Sequence, residues 1–107
     1  MTAELCWFPV PADKLPENNA RRMLWIAERP IIVFQIDGQF YGIEDGCPHQ
    51  GASMFSGKLE PPWLQCPAHG LKFDITTGKL SAGDACSLRT LVTRFEAGQL
   101  YLTFKAE

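Results

Sequence analysis

Short apolar runs alternate with Gly, Pro, Asn and Asp along the chain, and nowhere do the apolar positions recur with the 3.6-residue period of a helix. Met23, Leu24, Trp25 and Ile26 end a strand-like run over residues 20–26. Glu28-Arg29-Pro30 turns the chain, and residues 31–36 are almost all β-branched or aromatic. Asp37-Gly38 separates that run from residues 39–44. Asp and Gly tolerate the positive φ values of a two-residue turn, so a hairpin is predicted. A second hairpin pairs residues 91–95 with 100–104 through a slightly longer turn, Glu96-Ala97-Gly98-Gln99. Between the hairpins, strands are predicted at 63–65 and 71–74. Turns fall within 51–57, at Pro61-Pro62-Trp63 and at Thr76-Thr77-Gly78-Lys79, and residues 83–87 form a loop. Leu5-Cys6-Trp7-Phe8, stopped by Pro9 and Pro11, reads as an edge strand, and 13–19 as a loop. Together these elements predict an all-β, antiparallel sandwich or barrel. Trp7, Trp25, Phe34, Phe40, Phe95 and Phe104 are expected to pack in or against its core.

With 107 residues there is room for one domain and one modest core. The apolar fraction of 46% is that of an ordinary globular protein. A net charge of −2, from 10 basic and 12 acidic residues, leaves no basic footprint for nucleic acid. No apolar run approaches the ~20 residues of a membrane span. The first residues also lack the charged-then-apolar layout of a secretory signal, so a cytoplasmic protein is expected. With no large apolar surface segment evident, it is expected to be a monomer.

The chemistry is concentrated between residues 47 and 69. Cys47-Pro48-His49 is followed by 16 residues and then Cys66-Pro67-Ala68-His69, and these are the only two histidines in the chain. Two soft thiolates and two imidazoles, delivered from separate loops, make a four-ligand metal site that each loop grips from one side. Zinc would accept the same ligands, and a zinc-stabilised interaction module is the alternative. Zinc motifs, however, more often pair like with like, whereas here each loop supplies one thiolate and one imidazole. That mixing suits two metals bridged by sulfides. Cys6 and Cys86 remain, and in a reducing cytosol both are expected as free thiols.

The pattern C-x-H, 16 residues, C-x-x-H resembles the cluster-binding signature of Rieske proteins. Gly51, Gly70, Phe73-Asp74 and Thr77-Gly78 extend the likeness, which covers nearly the whole chain. The resemblance implies one [2Fe-2S] cluster, with Cys47 and Cys66 on one iron and His49 and His69 on the other. It also implies a β base from residues 1–43 and 78–107, with a cluster-binding subdomain, 44–77, inserted between its strands. In high-potential family members each ligand loop carries an extra cysteine and the two form a disulfide; here Ala52 and Ala68 stand at those places. The serine and tyrosine hydroxyls that stabilise the reduced cluster in those proteins are replaced by Leu71 and Phe73. A potential near the low end of the Rieske range of roughly −150 to +300 mV is expected. Gln50, Gly51, Ala68 and Gly70 flank the ligands and are expected to aim backbone N–H groups at sulfur. Pro48 and Pro67 stiffen the loops, and Pro48, Gln50, Pro67, Ala68 and Leu71 form a rim where a partner docks.

Rieske oxygenases perform their chemistry at a separate mononuclear iron held by two further histidines and a carboxylate. With His49 and His69 committed, this chain has no histidine for such a site, so it is expected to carry electrons and transform no substrate. The resemblance is closest to the small ferredoxins that pass single electrons from a flavin-dependent NAD(P)H reductase to a terminal ring-hydroxylating oxygenase in aromatic catabolism. The added electron is expected on the histidine-held iron, with both partners docking transiently near His49 and His69. Rival readings are a small or accessory Rieske subunit of another redox system, such as nitrite reductase, and a redox sensor.

Overall fold

The computed structural model describes residues 7–46, 53–67, 70–81 and 87–104. Its most deeply buried strand is β3 (Arg29–Ile36), in which Ile31, Ile32, Val33 and Phe34 are all fully buried. Successive side chains of a strand point to opposite faces, so an unbroken apolar run implies cover on both sides. That is what surrounds β3. Ile32, Phe34 and Ile36 join one apolar cluster with Ile43, while Ile31 and Val33 join another with Leu24, Ile26, Leu91 and Leu102.

Two hairpins frame this strand. β2 (Ala20–Ile26) pairs with β3 across a two-residue turn at Ala27 and Glu28, and β3 pairs with β4 (Gln39–Glu44) across Asp37 and Gly38. All four turn residues have positive φ, the geometry that matches the right-handed twist of the flanking strands. β1 (Phe8–Pro9), β8 (Thr90–Glu96) and β9 (Gln99–Phe104) complete an antiparallel six-stranded sheet in the order β1-β9-β8-β4-β3-β2, curved into a half-barrel. Its two edges, β1 and β2, flank a groove of about 550 Å³ lined by Phe8, Pro9, Met23 and Trp25 among others. A separate antiparallel sheet of three strands, β5 (Lys58–Glu60), β6 (Trp63–Gln65) and β7 (Lys72–Asp74), packs Leu64 and Phe73 against Ile32 and Phe34. The all-β antiparallel class is therefore as predicted. No described helix is long and apolar enough to cross a membrane.

Several sequence expectations are corrected in detail. β3 starts at Arg29, so Pro30 lies inside a strand and not in the turn. Its carbonyl still accepts the Asp45 N–H at 2.8 Å, and the ring deprives only the end of the β3–β4 ladder of a donor. Pro9 likewise belongs to β1, at the edge of the sheet opposite Tyr101. β5 was not predicted, and a short 3-10 turn, Ala12–Lys14, begins just before the predicted loop and runs into it. The β8–β9 turn has two residues, Ala97 and Gly98, both at positive φ, instead of a longer loop.

Among the six aromatics expected in the core, Phe34 is fully buried, whereas Trp25 is 68% and Phe95 51% exposed. Trp25 sits on edge strand β2 opposite Pro30, beyond the part of the strand that the small sheet covers at Arg21 and Met23. Phe95 stacks one face on Phe40, with ring centroids 5.2 Å apart, at the open mouth of the half-barrel.

Candidate metal centre

β6 runs straight into the second ligand loop. Leu64 and Cys66 are two residues apart and so share a face, and both enter the apolar cluster with Phe34 and Phe73. The Cys66 side chain is 1% exposed and has no disulfide partner among the described residues. The loop closes on itself. The Cys66 N–H donates to Leu71 O at 2.7 Å, the Gly70 N–H donates to Cys66 O at 2.8 Å, and Gln65 Nε2 donates to Gly70 O at 3.3 Å. Gly70 has φ +74°, in the left-handed region that favours glycine. Its N–H is thus spent inside the loop and is not aimed at sulfur, which corrects the sequence expectation for that residue.

The first loop leaves β4 at Asp45-Gly46 and returns at Ser53-Met54. Asp45 accepts from Ser53 Oγ and from the Met54 N–H, each at 2.7 Å. Arg21 reaches across from β2 and donates through Nη1 to Phe55 O and Gly57 O, both at 2.8 Å, with its guanidinium 5.6 Å from the Phe34 ring centroid. Burial lowers the Arg21 pKa from its ordinary value, because desolvation disfavours the charged form. Gly57 lies so close to β6 that a Cβ there would stand 2.3 Å from Gln65 O, so only glycine fits. Beside the loop base, Arg29 pairs with Glu44 and lies over the Phe104 ring, 4.2 Å from its centroid.

Of the four predicted ligands, Cys66 is placed as described above, and Cys47, His49 and His69 lie outside the described residues. So do Pro48, Gln50, Gly51, Ala52 and Ala68, and the two cysteines Cys6 and Cys86. Among the described residues, accordingly, no group of three or more His, Cys, Asp or Glu converges. Of the predicted docking rim, Pro67 is exposed, while Leu71 is partly buried against the core. Phe73 is fully buried. Asp45, Arg21, Ser53 and Gln65 were not singled out in the sequence. The available signal was a carboxylate two residues before Cys47 and an amide immediately before Cys66.

The donor set suits an iron–sulfur cluster. Cys66 offers a soft sulfur in an apolar, water-excluded setting, and the loop that carries it is closed by backbone hydrogen bonds from below. Comparison with known proteins bears on the same point. The Rieske [2Fe-2S] domain family matches residues 6–94. The 3-phenylpropionate/cinnamic acid dioxygenase ferredoxin subunit of Photorhabdus laumondii is 33% identical over 104 residues, covering 94% of this chain and 95% of its own. A chain in the complex of reduced oxygenase and oxidised ferredoxin of carbazole 1,9a-dioxygenase superposes with a TM-score of 0.80 at 28% identity, covering 94% of this chain and 97% of its own. A putative NADH-dependent nitrite reductase small subunit from Mycobacterium tuberculosis superposes with a TM-score of 0.83 at 16% identity over 98% of this chain and all of its own, a likeness of fold alone. A buried free cysteine on a closed loop, a spacing that pairs thiolate with imidazole twice, and a family match over most of the chain converge on one assignment: the chain belongs to the Rieske [2Fe-2S] family, and its cofactor is one [2Fe-2S] cluster.

Proposed function

We propose that this chain is the ferredoxin of a ring-hydroxylating oxygenase system, receiving single electrons from a flavin-dependent NAD(P)H reductase and delivering them to a terminal oxygenase. The observation that carries the reading is the likeness to a dioxygenase ferredoxin subunit over nearly the full length of both chains. The nitrite reductase reading has only the shared fold behind it.

Cys47 and Cys66 are the proposed thiolate ligands and His49 and His69 the imidazole ligands. Bound there, the cluster supplies reversible one-electron transfer. The protein's part is to hold the ligands and set their surroundings. Cys66 is kept out of water within the core shared by the two sheets, while Pro67 and Gly70 beside it are exposed. Docking of both partners is proposed at this exposed end, near His49 and His69, on a single cytoplasmic chain. The base is proposed to comprise 1–43 and 78–107 and the cluster-binding part 44–77. A low potential follows from Leu71 and Phe73, neither of which offers a hydroxyl to a sulfur.

The test is the visible spectrum, iron and zinc content, and EPR of the dithionite-reduced protein, followed by its reoxidation with a ring-hydroxylating oxygenase. About two irons per chain, a rhombic signal of low average g and rapid reoxidation are expected. A colourless protein with zinc, or a reduced cluster inert towards every such oxygenase, would sink the proposal.

A further inference from the structure

The two ends of the first ligand loop are held by one side chain. The Asp45 N–H donates to Pro30 O at 2.8 Å, which ties this residue to the base sheet. Its carboxylate reaches across the loop, one oxygen accepting from Ser53 Oγ and the other from the Met54 N–H, each at 2.7 Å. Two donors meet the two acceptor oxygens of one carboxylate, and an amide there would keep the acceptor for Met54 and meet the Ser53 hydroxyl as a donor instead.

From Met54 the restraint continues to the other loop. Met54 is fully buried in the same apolar cluster as Cys66, and its carbonyl accepts from the Gly57 N–H at 2.9 Å. Gly57 presses against Gln65 O at the distance only glycine allows, and the Gln65 amide holds Gly70 O. Arg21 fixes the same turn from the base through Phe55 O and Gly57 O. A continuous series of contacts therefore runs from Asp45, where the first loop begins, to the closed turn that carries Cys66.

We infer that Asp45 is a positioning residue for the cluster: by closing the first ligand loop onto Ser53 and Met54 it fixes the separation of the two ligand loops before the metal binds. The inference rests on the proposed ligand role of Cys47 and His49. Closing the loop in advance removes conformational freedom that metal binding would otherwise have to remove. Residues that orient metal ligands typically change metal retention by about ten- to a hundredfold when lost.

The test compares the holoprotein with Asp45→Ala, Asp45→Asn and Ser53→Ala. It follows first-order bleaching of the visible absorption in excess EDTA, the EPR of the reduced cluster, and thermal unfolding by far-ultraviolet circular dichroism. Asp45→Ala is expected to bleach about tenfold faster with a broadened EPR signal. Ser53→Ala, which removes one of the two bonds from an exposed residue, accelerates bleaching by about two- to threefold. Asp45→Asn keeps an acceptor for Met54 and turns its amide towards Ser53 Oγ, so it returns to within about twofold of the parent. Bleaching of Asp45→Ala at the parental rate with an unchanged EPR signal overturns the inference, and so does equal acceleration in Asp45→Asn. If Asp45→Ala does not accumulate, a Ser53→Ala protein indistinguishable from the parent overturns it. A parent protein without iron strikes at the ligand reading itself and removes this inference with it. A parent that holds its cluster whatever stands at position 45 removes this inference alone.

Discussion

The two sheets of this molecule hold together by different means. The six-stranded sheet contains strands of six to eight residues, except for two-residue β1, and two-residue turns join β2 to β3, β3 to β4 and β8 to β9 with long paired registers. The three-stranded sheet is built from strands of three residues each. Ladders that short do not stand alone. The small sheet therefore takes its order from elsewhere: from Leu64 and Phe73 packed on Ile32 and Phe34, and from the Arg21 and Asp45 contacts beside it. The comparison teaches that rigidity around Cys66 is lent by the larger sheet through one shared core.

The sharpest way to break that division is to remove the cluster. Cys66→Ala should abolish it, taking iron from about two per chain to background while the base keeps its strand signal in circular dichroism. Collapse of the base as well would show that the sheets do not differ as argued. A smaller but broader effect is expected of Phe34→Ala, which empties the core common to both sheets. It should destabilise the protein by about 3–5 kcal/mol, read from the urea midpoint, and hasten cluster loss in parallel. Leu102→Ala, at about 2–5 kcal/mol, lies in the other cluster and should lower stability without changing the EPR signal.

Phe73→Tyr sharpens the comparison at the small sheet. Phe73 shares its apolar cluster with Cys66, so a hydroxyl there adds a donor close to the proposed ligand sulfur. One neutral hydrogen bond of about 1 kcal/mol to the reduced state raises a one-electron potential by ~40 mV, measurable by redox titration. An unchanged or lowered potential would count against it. The smallest effect belongs to Trp25→Ser. With Trp25 68% exposed on an edge strand, stability should change by less than about 0.5 kcal/mol. A larger loss would mean that the groove between β1 and β2 contributes more than its exposure suggests.

What the sequence disclosed follows the reach of each interaction. Asp37-Gly38 announced its hairpin because turn chemistry is local, and β2 and β4 begin and end where the apolar pattern does. Pro30 was misplaced because proline is normally punctuation, and its tolerance here depends on where the β3–β4 ladder stops. β5 is three residues long and becomes a strand only by pairing with β6. Trp25 and Phe95 were expected inside because burial of an aromatic depends on what the facing layer covers. The family was legible from the spacing of cysteine and histidine pairs. Their supports were not, since Arg21 reaches a carbonyl 34 residues away and Asp45 a backbone N–H nine away.

The pairing of β1 with β9 sets an order of events during synthesis. Phe8 faces Leu102, and β4 meets β8 at Gly42 and Leu91, so neither pair can form until the later partner has been made. At translation rates of about 5–20 residues per second, Phe8 waits on the order of 5–20 s for its partner. The β2–β3–β4 meander, with its nearby partners, has no such delay. The three short strands between β4 and β8 therefore leave the ribosome before the larger sheet is whole.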